Sequence, residues 1–148
     1  MSDGERPAGA LRPALKLTHA GALIMIGAAV ETAARLGAPV NVVIVDESGV
    51  DLAMVRMDGA KFLSIATARA KAQTAASHRR PTTKIPAEIA AGLAFASGGR
   101  ITDMAGGLPV MIDGACIGGI GIGSASDEDD IEIARAALAA IGADAPAT

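Results

Sequence analysis

Residues Val40–Val45 form an apolar, β-branched run interrupted only by Asn41, and after Asp46-Glu-Ser-Gly49 the chain alternates from Val50 to Met57. A continuous run bounded by turn residues suits a central strand, and alternation suits a strand with one buried face. With turn chemistry between them, the two runs predict a β-hairpin that presents Leu52, Met54 and Arg56 on one face and Asp51, Ala53 and Val55 on the other. Leu108–Ile112 and Ala115–Ile122 repeat the arrangement around Asp113-Gly114, a strong two-residue hairpin signal. Between and around these strands the period changes. Leu15–Leu36 is helical in spacing, with Gly37 as its stop and Pro39 beyond. Its middle, Leu23-Ile-Met-Ile26, is apolar nearly all round, which predicts cover on more than one side. Lys61–His78 predicts an Ala-rich helix stopped by Pro81, and a shorter helix runs from Pro86 to the Gly98-Gly99 exit. Ser126, with Asp129 three residues on, has capping-box spacing and opens a last helix with Ile131, Ala134, Leu138 and Ile141 on one stripe.

The order is therefore helix, hairpin, two helices, hairpin, helix. Hairpin strands are antiparallel, so an all-parallel doubly wound sheet is excluded. The expected fold class is α/β of the α+β kind, a central antiparallel sheet built from two hairpins with helices on its faces. Residues 1–13 carry Gly, Pro and charge without apolar period and predict a flexible leader before a single domain over 14–144.

Composition changes this picture in two ways. Half of the 148 residues are apolar (51%), yet Trp and Tyr are absent and Phe62 and Phe95 are the only aromatics. Small side chains each bury little area, so a lone domain gains modest stability and a homo-oligomer is expected. The net charge is −3, without a basic stripe interleaved with aromatics, which argues against nucleic acid. The longest apolar run, Ala22–Val30, is less than half of the roughly 20 residues a membrane span needs. The N-terminus has no apolar core after a basic start, and Cys116 is the only cysteine. A cytoplasmic protein without membrane attachment or internal disulfide is expected.

Several blocks together resemble one family. Val43-Ile-Val-Asp-Glu-Ser-Gly49 and Arg56-Met-Asp-Gly-Ala60 are similar to the hairpin and loop of the GlcG/HbpS family. Lys71-Ala-Gln-Thr-Ala-Ala76, Arg79-Arg-Pro-Thr82, Gly106-Gly-Leu-Pro-Val110 and Gly118-Gly-Ile-Gly-Ile-Gly123 follow in the family's order, covering roughly residues 15–142. The resemblance implies a profilin-like, three-layer α-β-α fold, assembly into oligomers, and kinship with the C-terminal domain of PduO-type corrinoid adenosyltransferases. It implies a small-molecule ligand, with haem or another anionic tetrapyrrole the ligand and cofactor it suggests.

The residues offer two chemistries. His19 and His78 are the only imidazoles, and His19, opening a helix, is the candidate axial haem ligand beside its plainer reading as a first-turn residue. Arg56 and Arg80 are candidates to hold carboxylates by paired hydrogen bonds, or else lie in solvent. The expected pocket gathers Arg56, Met57, Asp58, Lys71, Arg80, Gly107 and Pro109. The rival is a cofactor-free isomerase, tautomerase or lyase on a small carboxylate, in which Asp58, Lys71 or His78 moves a proton. Gly118–Gly123 has no P-loop lysine and runs into Asp127-Glu-Asp-Asp130, so tight strand–helix packing is its expected role and phosphate is not. No metal site is expected.

Overall fold

The computed structural model describes Gly4 and residues 6–146; Met1–Asp3 and Glu5 of the expected leader lie outside the described residues. Both hairpins form. Strand β1 (Asn41–Asp46) turns into β2 (Asp51–Arg56) through an Asp46 side chain whose Oδ1 accepts from the N–H groups of Ser48 (2.8 Å) and Val50 (3.0 Å). Strand β3 (Gly107–Ile112) turns into β4 (Ala115–Gly123) through Asp113 and Gly114, both at positive φ (49° and 82°), as a primed two-residue turn requires. β1 and β4 then pair antiparallel, from Asn41↔Gly123 to Asp46↔Gly118, and the four-stranded order is β2-β1-β4-β3.

The expected alternation of β2 is broken. The register shifts between Ile44 and Val45, so that Ala53 opposes Ile44 and Asp51 opposes Val45. Leu52 is the extra residue of this bulge and packs with Ala53, Val55 and Met57 on the same core, while Met54 faces the other side, where the Arg69 guanidinium reaches its sulfur.

Helices α1 (His19–Arg35) and α4 (Asp127–Ala140) pack on each other and on one sheet face, against Val42, Ile44, Ile120 and Ile122. Helix α2 (Ser64–His78) covers the other face, setting Ala68, Ala72 and Ala76 on Val43 and Val45. This is the expected three-layer α-β-α arrangement. α1 begins at His19 and not Leu15 because the Thr18 hydroxyl caps it, accepting from Gly21 N–H at 3.0 Å. α2 begins at Ser64 and not Lys61: the Asn41 amide donates to the Lys61 carbonyl (2.8 Å) and Lys61 N–H to the Ser124 hydroxyl (3.0 Å), holding this stretch in a turn. The Ser126 hydroxyl caps α4 through Asp129 N–H at 3.2 Å. Ser126→Ala is expected to cost about 1 kcal/mol, read as a lowered urea midpoint at unchanged slope.

Two helical expectations are corrected. α1 buries Ala22, Met25, Ala29, Thr32 and Ala33 but leaves Leu23 (60%) and Ile24 (55%) exposed, because sheet and α4 cover only one side of it. Of the expected stripe of α4, Ala134 and Leu138 are buried and Ile141 packs on the core, but Ile131 is only half-buried and Asp130, Ile133 and Ala137 complete the buried face. The short helix α3 (Ala87–Ala96) buries none of its residues, and Phe95 is 91% exposed. Among the described residues no helix is long and apolar enough to cross a membrane.

Candidate functional site

The expected cationic pocket does not assemble, and the direction of α2 explains why. α2 runs along β4, with Ser64 beside Gly123 and Ala76 beside Gly119. Arg56, opposite Asn41 and hence level with Gly123, lies at the helix's N-terminal end, and Asp58 follows it in the loop. His78 ends the helix and Arg80 follows it, both exposed. Fifteen helical residues separate these two groups by about 20 Å. Gly107 and Pro109 lie on β3, the opposite sheet edge from Arg56, about 14 Å away across three strand spacings. Met57 packs into the α1/α4 core, and Pro109 is buried within its edge strand, where a missing N–H costs no ladder bond.

Lys71 is placed differently from expectation. Its side chain is 3% exposed; Nζ donates to the Ile122 carbonyl at 2.7 Å and to Asp130 Oδ2 at 3.0 Å. Asp130 Oδ1 accepts from Ala125 N–H at 3.3 Å. The pair ties α2, on one sheet face, to the first turn of α4, on the other. It passes beside Gly106, where a Cβ would stand 3.1 Å from Nζ. Burial raises the Asp130 carboxyl above its ordinary value, and the Lys71 charge and hydrogen bond with the Ala125 N–H offset this only in part. An ammonium enclosed and paired in this way is not available to bind a ligand or move a proton. Asp58, Lys71 and His78 therefore form no common proton-transfer site. Asp130 was missed because its acidic neighbours suggest a solvated first turn; its signal was its place on the stripe of Ile133, Ala134, Ala137 and Leu138.

Among the described residues, two cavities and one helix face gather candidate groups. A cavity of about 510 Å³ is lined by Thr82, Lys84, Asp103, Gly107, Ile131 and Arg135, among others, and is the one that holds the expected Gly107. Its charges partly cancel, with Lys84 3.7 Å from Asp103. A second, of about 580 Å³, lies at the C-terminal end of α2 and gathers Arg12, Arg79 and Arg100. Arg12 and Arg100 carried no local signal, since the chain brings them together only on folding. The helix face belongs to α1: His19, Leu23 and Gly27 are spaced by four residues, all exposed, and a Cβ at Gly27 would meet nothing within 4 Å.

The family model that matches residues 17–139 is described as haem degrading protein HbpS-like. The chain is 38% identical over 119 residues to the corrinoid adenosyltransferase PduO of Salmonella typhimurium, covering 77% of this chain. It spans only 35% of that relative's length. Among solved structures it is similar to a PduOC:heme complex (TM-score 0.80, 33% identity, 90% of this chain and 100% of the other). It is equally similar to HbpS (TM-score 0.80, 35% identity, 93% and 99%).

Proposed function

This chain belongs to the HbpS-like family, and from that premise we propose that it binds haem, or another anionic tetrapyrrole, with the His19 imidazole as iron ligand. The observation that carries the reading is the uncovered face of α1. His19 makes no hydrogen bond or ion pair among the described residues, and Leu23 and the bare backbone of Gly27 continue its side of the helix, with the exposed Ile24 next to Leu23. These residues fit the group: neutral imidazole is an axial haem ligand, and a flat apolar helix face accepts a porphyrin plane with little steric conflict. Bound haem supplies the iron; the chain supplies the imidazole and the apolar surface.

One helix face covers only one side of a porphyrin, so the reading includes a homo-oligomer whose neighbouring copy covers the other. The unburied apolar residues of α3 support such assembly. Hemin titration of the full chain is expected to give a saturable Soret shift, and His19→Ala to weaken binding by at least about tenfold, the loss typical of disturbing a metal's ligand shell. The same Soret band and affinity in the variant would remove His19 from the site, and no band in the wild type would remove haem.

A further inference from the structure

We propose that the cavity at the C-terminal end of α2 is a binding site for a small di- or tricarboxylate, held by Arg12, Arg79 and Arg100. This inference stands apart from the haem reading, because the cavity lies on the α2 side of the sheet and His19 opens α1 on the other. Three guanidinium groups line one space of about 580 Å³ in a chain whose net charge is −3. None of the three enters an ion pair among the described residues, whereas Lys16, Arg69, Lys71 and Lys84 each do. The Glu47 carboxylate on the same cavity is matched by Lys16, so the three guanidinium charges have no ion-pair partner there, and an anion of two or more carboxylates relieves their repulsion. The partial negative charge at the end of α2 opposes this, but it amounts to about half an elementary charge against three full ones.

The setting of these arginines is built. The Arg100 carbonyl accepts from the Thr74 hydroxyl at 2.8 Å, and its Nε donates to the Ser97 carbonyl at 2.9 Å, which fixes the root of the guanidinium. The terminal amino groups of Arg100 have no partner among the described residues and remain as the forked donors that match a carboxylate. Arg79 follows α2 in the left-handed conformation (φ 58°), a helix-ending position where glycine is the unstrained choice. Its N–H bonds the Ala75 carbonyl at 2.8 Å, so the left-handed turn closes the helix, while its guanidinium has no partner among the described residues. An unpaired guanidinium that lines a cavity together with two others is placed to hold an anion. Glu47, also on this cavity, is bound through Oε1 to Lys16, while its buried Oε2 has no donor.

Cys116, the only cysteine, lines the same cavity and reports occupancy without touching the haem face. With citrate as the probe and ionic strength held constant by sodium chloride, alkylation of Cys116 by neutral iodoacetamide is expected to slow in a saturable manner. Succinate should protect more weakly, and acetate not at all. Arg79→Gly is expected to raise the melting temperature of the ligand-free protein by relieving the strain, yet to weaken citrate at least about tenfold, as loss of one charge-assisted pair implies. Arg100→Gln should weaken it similarly, and His19→Ala should leave it unchanged. Equal protection of wild type, Arg79→Gly and Arg100→Gln, or protection by sodium chloride alone, would overturn the proposal.

Discussion

Asp130→Ala is expected to destabilise the protein by about 3 kcal/mol, the lower end of the cost of breaking a buried ion pair. The Lys71 ammonium, 3% exposed, would lose its counter-ion and keep only the Ile122 carbonyl. Its burial would then be uncompensated, and the urea midpoint reads the loss at unchanged slope. Because burial of the pair costs more than its attraction returns at the carboxyl, Lys71→Met combined with Asp130→Leu is expected to be as stable as the wild type or more so. A double variant no better than Asp130→Ala would show that the charges contribute net stability. The sign of the pH dependence follows from the same burial. With the folded carboxyl raised above its ordinary value, the folded chain keeps a proton that the unfolded chain has already lost between the two values. Stability is therefore full below the ordinary carboxylate range and falls as pH rises through the raised value. Asp130→Asn should flatten that part of the profile, and parallel midpoints for the two proteins would rule the titration out.

Gly121→Ala is expected to cost about 3 kcal/mol, the upper end of the penalty for overpacking, and to bring part of the protein into the insoluble fraction. α2 lies directly on the backbone of β4. A Cβ at Gly121 would collide with the Ala68 carbonyl oxygen and stand 2.7 Å from the Ala72 nitrogen. The obstacle is helix backbone, which cannot rotate away, so relief requires α2 to lift from the sheet. Gly119 meets the Ala72 carbonyl and Gly107 the Lys71 carbonyl in the same way. Gly92→Ala is the control: it lies inside α3 with nothing within 4 Å, and helix propensity alone predicts a gain of about 0.5–1 kcal/mol. Similar melting temperatures for Gly121→Ala and the wild type would mean that α2 does not bear on the strand glycines.

The packing role of those glycines was legible because it is local. Alternate glycines on one strand face, Gly119, Gly121 and Gly123, beside a helix of alanines, describe two surfaces able to approach closely. The hairpins were legible for the same reason, since Asp46 and Asp113-Gly114 carry their own turn chemistry. The candidate site was legible only in fragments. His19 and its apolar neighbours share a helix, so their spacing could be read. Arg56, Lys71 and Arg80 looked like neighbours because they are close in sequence, yet α2 carries two of them apart and turns the third inward.

What the sequence determined by itself, then, is what rests on neighbours along the chain: the helical or strand period of the elements apart from the bulge in β2, the turn residues, the Ser126 cap, and the family resemblance that their sum carries. Only the tertiary structure decided the pairing of β1 with β4, the burial of Lys71 against Asp130, and the meeting of Arg12, Arg79 and Arg100. The physical reason is common to all three. Each depends on groups far apart in the chain whose charge or hydrogen-bonding state is set by what surrounds them after folding. A lysine reads the same in sequence whether water or a carboxylate will face it.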